Sequence, residues 1–160
     1  MTHENLYPQL TAQAAALTEG ETHILANLAN VAALLGHTLP RINWAGFYLM
    51  DGGELVLGPF WGNPACLRIA PGHGVCGTAV STDSVQRVAD VHAFPGHIAC
   101  DAASASEIVL PLHVHGRVAA VLDIDSPEPD RFSPADETGL RALAAVLEQL
   151  PWDYCGYSLG

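Results

Sequence analysis

"NWAGFYLMDGGELVLGPFWG", residues 43–62, holds two apolar runs separated by Asp51-Gly52-Gly53. Asp-Gly supplies the positive φ that a tight hairpin requires, so the stretch reads as two antiparallel strands. Trp44 and Tyr48 stand four residues apart on the first of them, and alternation places both on one face. Working outward, "CLRIA" (66–70), "QRVAD" (86–90), "EIVLPLHV" (107–114) and "RVAAVLDID" (117–125) read as further strands, the last two joined across His115 and Gly116. The small-residue stretch "GVCGTAVSTD" (74–83) reads as one or two helical turns.

The ends are helical. In "LTEGETHILANLANVAALLGH" (17–37), Ile24, Leu28, Val31 and Leu35 recur at helical spacing. Thr18 followed by Glu21 has the form of a capping box, and the helix closes near Gly36. An alanine-rich segment from about Leu6 to Leu17 reads as a preceding helix. In "SPADETGLRALAAVLEQL" (133–150), Ser133 reads as N-cap, Pro134 as the first helical residue, and Leu140, Leu143, Leu147 and Leu150 as the buried stripe. The order of elements predicts an α+β domain, an antiparallel sheet of about six strands with helices packed on one side.

With 160 residues, 49% of them hydrophobic and 14% charged, the chain reads as one domain over 1–160, its core at about 18–150 and 151–160 a tail. A formal net charge of −11 repels phosphate backbones and anionic lipid headgroups, so neither nucleic acid nor a membrane surface is expected as a partner. No apolar run approaches the roughly 20 residues that span a bilayer, and "MTHENLYPQL" has no signal-peptide pattern; a cytoplasmic protein is expected.

Four residues types carry chemistry: thiols, acids, histidines and aromatics. Cys66, Cys76, Cys100 and Cys155 include no C-x-x-C pair, which argues against a zinc ribbon or a thioredoxin-type motif and leaves structural or reactive thiols. Cys76, between glycines at the start of a helical turn, reads most simply as a small core residue. Cys100 lies in the one long irregular connection, Asp90 to Ser106, a candidate lid rich in Ala and Ser. A reactive cysteine needs access and a lowered pKa, and the neighbouring Asp101 opposes thiolate formation.

On "RVAAVLDIDS", Ala120, Leu122 and Ile124 face one way, and Val121, Asp123 and Asp125 the other. If the strand opening at Glu107 brings that side chain to the same face, three acids converge, able to bind a cation or to hold a proton near neutral pH. The bland alternative is a solvated sheet face. His113 and His115 share a strand face but read better as a hairpin end than as metal ligands. Asp123-x-Asp125 has no phosphate-cradling loop beside it, so no metal site is expected.

Taken together, "INWAGFYL", "LVLGPFWGNPACLRI", "GHGVCGTAV", "HIACDAASASEIVLPL" and "VLDIDSP" resemble the free methionine-R-sulfoxide reductases, which are built on a GAF domain. The resemblance runs from about Thr18 to Leu150. It implies Cys100 as nucleophile, Cys66 as resolving cysteine, and Cys76 in an auxiliary role. It further implies Glu107, Asp123 and Asp125 as substrate-binding acids, Glu107 also as proton donor, and Trp44 and Tyr48 as pocket aromatics. Cys155 and Trp61 match no functional position. The activity implied is reduction of free methionine (R)-sulfoxide through a sulfenic acid and an intramolecular disulfide. No cofactor is implied beyond an external dithiol such as thioredoxin, and a homodimer fits the family. The competing class is a non-enzymatic GAF-type sensor of a small ligand or of redox state.

Overall fold

A computed structural model of the chain describes residues 3–97 and 103–153; Cys100 and Asp101, on the candidate lid, and Cys155 lie outside the described residues. Strands β1 (Trp44–Asp51) and β2 (Glu54–Gly62) form the expected hairpin, with Asp51 opposite Glu54. Its two turn residues, Gly52 and Gly53, have φ of 62° and 85°, a backbone that costs a residue with a Cβ roughly 1–2 kcal/mol. The same device joins β5 (Ser106–Val114) to β6 (Arg117–Ser126), where His115 and Gly116 have φ of 54° and 75°.

Strands β3 (Arg68–Ile69) and β4 (Gln86–Val88) are shorter than their apolar runs suggest because each pairs on one side alone, at the ends of the six-stranded order β3-β2-β1-β6-β5-β4. Every described pairing is antiparallel.

Three helices, α1 (His3–Thr18), α2 (Ile24–Thr38) and α4 (Pro134–Glu148), cover one face of the sheet. Their apolar stripes pack on Phe47, Leu110 and Leu122, residues of alternate parity on β1, β5 and β6. The fourth helix, α3 (Gly74–Thr82), lies against the opposite face, where Val75, Cys76 and Ala79 meet Val109 and Val121. The α+β expectation holds, with this one helix added on the far side. It makes a cleft there instead of an open sheet.

The capping box expected at Thr18 and Glu21 does not form. Thr18 is the last residue of α1, its Oγ1 donating to the Ala14 carbonyl at 2.8 Å, and Glu21 Oε1 accepts from the Thr22 and His23 backbone N–H groups at 3.1 and 3.0 Å. Gly20, at φ 76°, turns the chain between the helices, so Thr18 closes one of them and α2 begins only at Ile24. Helix α2 also runs past Gly36 to Thr38. Gly36 stays helical and bare because a Cβ there would lie 2.2 Å from the Trp61 ring, which packs on α2 as an ordinary apolar residue.

The capping box at α4 forms as expected: Ser133 Oγ accepts from the Asp136 N–H, and Asp136 Oδ2 accepts from the Ser133 N–H at 2.8 Å. Asp136 does more than cap. Tyr7 of α1 donates its hydroxyl to Asp136 at 2.6 Å, and the buried Arg131 guanidinium reaches it at 3.2 Å while its Nε donates to the Pro40 carbonyl. The packed core thus reaches Tyr7 at one end and, at the other, Trp152, whose indole N–H donates to the Leu147 carbonyl. Burial works to raise the Asp136 pKa, but the bonds from Ser133 and Tyr7 and the Arg131 charge hold it below the ordinary carboxylate value.

Asp136→Asn leaves Arg131 buried without a counter-charge and should destabilise the protein by about 3–5 kcal/mol in urea unfolding at pH 7. Because the folded carboxyl titrates low, its contribution is present above the ordinary carboxylate range and lost as pH falls through the folded value. The gap between variant and wild type should therefore narrow in acid; a gap independent of pH would contradict the assignment.

Candidate active site

Cross-strand register builds the site. Glu107 on β5 pairs with Asp125 on β6, which pairs in turn with Trp44 on β1. One step along, Val109 pairs with Asp123, and Asp123 with Gly46. Residues of one parity on three adjacent strands share a face, so the three acids and Trp44 meet on the side away from α1, α2 and α4. Glu107 and Asp123 are buried and Asp125 is half-buried.

Trp44 and Tyr48 share that face despite a register shift against β2 between Gly46 and Tyr48. Their rings stack with centroids 5.9 Å apart, and Trp44 also stacks on Phe60 at 5.3 Å. The indole N–H of Trp44 donates to the Asn63 carbonyl at 3.1 Å, and Tyr48 donates its hydroxyl to the Cys66 carbonyl at 3.0 Å. The aromatic wall thereby fixes the segment carrying Cys66 beside the acids. Cys66 is disulfide-bonded and Cys76 is a free buried thiol, so these two are not joined to each other.

Cys76 enters from α3. Gly77 allows the helix to sit close, since a Cβ there would lie 2.4 Å from the Ala70 carbonyl oxygen, and Cys76 Sγ comes to 4.0 Å from Glu107 Oε2. Cys76 is buried among core residues and also lines the cleft.

These elements wall a cleft lined by Trp44, Tyr48, Cys76, Glu107, Asp123 and Asp125. The sequence reading did not single out Ala65, Ile69, His73, Val75, His97 and Ser104, which also line it. The available signals were positional: His73 precedes the first residue of α3, and His97 follows the Pro95-Gly96 turn. His113 and His115 lie elsewhere, on the β5–β6 hairpin end, His113 between Asp83 and Glu148 and His115 on Asp153. Among the described residues, Cys76, Glu107 and Asp123 are grouped closely enough to hold a metal ion.

Burial with like charges governs the protonation of this cleft. Burial first, then the Asp123 charge, pushes the Glu107 carboxyl well above the ordinary range. Burial and then Asp125 raise Asp123 from 3.8 to about 8, and burial with Asp123 and Glu107 keeps the Cys76 thiol protonated. Glu107 and Asp123 therefore hold protons at pH 7, and Glu107 is poised to donate one.

For Asp123 the folded state holds a proton that the unfolded chain has released above pH 3.8; stability is retained below that value and lost as pH rises through about 8. Asp123→Asn removes this loss while keeping the side chain's shape. Thermal melts should show the variant gaining on wild type steadily from pH 4 to pH 8, and parallel curves would contradict the raised pKa.

A GAF domain model matches residues 10–150. The free methionine-R-sulfoxide reductase of Escherichia coli is 57% identical over 150 residues, spanning 94% of this chain and 91% of that protein. The structure of fRMsr of Staphylococcus aureus in complex with substrate superposes with a TM-score of 0.87 at 52% identity, over 91% of this chain and 95% of that one. The free methionine-R-sulfoxide reductase of Neisseria meningitidis in complex with its substrate gives a TM-score of 0.90 at 44% identity, over 93% and 90%. Similarity of this depth along nearly the whole chain, on a sheet that gathers three acids under two aromatics, establishes that the chain belongs to the free methionine-R-sulfoxide reductase family of GAF-domain proteins.

Proposed function

We propose that the protein reduces free L-methionine (R)-S-oxide to L-methionine with its own thiols. The observation that carries this reading is the convergence of Glu107, Asp123 and Asp125 in one cleft under Trp44 and Tyr48. The ammonium of a free amino acid suits surplus carboxylates, whereas a methionine inside a polypeptide lacks that charge. Trp44 and Tyr48 take the S-methyl end, where sulfur–aromatic contacts contribute roughly 0.3–1.5 kcal/mol.

In this mechanism Asp123 releases its proton to solvent as the ammonium enters and binds it together with Asp125, while Glu107, protonated by its burial, donates a hydrogen bond and then a proton to the sulfoxide oxygen. The Cys100 thiolate attacks the sulfoxide sulfur. The net exchange passes the oxygen to Cys100: methionine sulfur gains two electrons and leaves as the thioether, and the thiol, losing two, becomes a sulfenic acid. Cys66 condenses with that acid, forming a disulfide and releasing water. Thioredoxin or a similar cytoplasmic dithiol then reduces the disulfide and is itself oxidised. The bonded state of Cys66 beside a free Cys76 supports Cys66 as the resolving partner, and the raised pKa of Cys76 supports an auxiliary role for that thiol.

With racemic free methionine sulfoxide and dithiothreitol, wild type should convert only the R half. Cys100→Ser should lower the rate at least about 1,000-fold, and Glu107→Gln should lower kcat about 100-fold or more. Absence of turnover by wild type despite binding would identify a GAF-type sensor instead. N-acetylmethionine sulfoxide, which has no ammonium, should lose about 100-fold in kcat/KM, and equal use of both substrates would remove the charge-recognition role from Asp123 and Asp125.

A further inference from the structure

We propose that Cys76, Glu107 and Asp123 form a Zn²⁺ site on the floor of the cleft, which the metal and the substrate ammonium occupy in competition. The Cys76 sulfur and one carboxylate oxygen from each acid all lie within 4.8 Å of one another. A tetrahedral ion bound at about 2.3 Å to sulfur and about 2.0–2.2 Å to oxygen draws three such donors together with a small closure. An independent observation points to a ligand: Asp123 is only 5% exposed, and its Oδ1, in the wall of the cleft, has no hydrogen-bond partner among the described residues. A buried carboxylate oxygen left in this way is costly unless something enters to meet it.

The donor set selects the metal. A thiolate with two carboxylates is a borderline-soft site with three protein ligands, which suits Zn²⁺ and leaves the fourth position open to the cleft. Mg²⁺ and Ca²⁺ demand six or more oxygen donors, and a thiol is a poor member of such a shell. On coordination the Cys76 thiol proton and the protons held by Glu107 and Asp123 pass to solvent as the Zn–S and Zn–O bonds form. The three donors come from α3, β5 and β6, so the ion would also clamp the helix to the sheet.

Binding stands on this geometry alone, whereas competition with substrate rests on the proposed function. The two are separable in a full-length chain in which Cys66, Cys100 and Cys155 are replaced by Ser, leaving Cys76 as its single thiol and no nucleophile. Co²⁺ added to this chain should give the near-ultraviolet thiolate-to-cobalt band, and Zn²⁺ should abolish the band and raise Tm. Adding Asp123→Asn to it should weaken Co²⁺ affinity at least about 10-fold, since loss even of outer-sphere partners costs that much. Cys76→Ser in the otherwise natural chain, kept reduced, should likewise lose the Zn²⁺-dependent rise in Tm. A folded Cys76-only chain without the band would overturn the site, as would an undiminished rise in Tm in Cys76→Ser. With binding established, free methionine sulfoxide should raise the apparent Kd for Zn²⁺ in proportion to its concentration; an unchanged Kd would remove the competition and leave the metal site standing.

Discussion

Glu107 on β5 and Asp123 and Asp125 on β6 are held on one face of an antiparallel pair, where neighbouring charges out of water repel each other unless a proton or a cation intervenes. Everything distinctive about the cleft follows from that arrangement. The register cannot slip to relieve it, because a shift of one residue would also turn Ile108, Leu110, Leu122 and Ile124 out of the main core. The apolar face thus enforces the acidic one. Glu107 and Asp123 in turn hold protons at neutral pH, so the face that would receive an ammonium also carries a proton donor.

The rest of the fold makes this tension bearable. Three helices bury the opposite face, and Asp136 ties them at one point by capping α4, accepting from Tyr7 of α1 and neutralising Arg131. The two acidic clusters solve burial in opposite ways. Asp136 is charged, paired with an arginine and held low, while Asp123, with no described cation beside it, is held high. One arrangement stabilises structure; the other keeps a chemical capacity in reserve.

Much of this was legible in the residues. Alternation along "RVAAVLDIDS" separated the acids from the core side chains correctly, because a strand has a strict two-residue period. The Asp-Gly-Gly and His-Gly turns and the Ser133 capping box carry short-range signals that tertiary structure did not override. Thr18 and Glu21 misled because the same residue types suit a helix end followed by a turn, and Gly20 decided between the two. The place of α3 was not legible, since it depends on the close approach at Gly77, a three-dimensional contact. The tie between Tyr48 and the Cys66 carbonyl was hidden for the same reason, as a side chain's bond to a distant backbone leaves no periodic trace.

Burial keeps Glu107 and Asp123 protonated near neutral pH. Carbon-13 NMR titration of the side-chain carboxyls of Glu107 and Asp123 in the reduced, metal-free protein tests it directly. Asp123 should titrate at about 8 and Glu107 well above the ordinary glutamate range. Both carboxyls titrating near pH 4, like exposed ones, would contradict it.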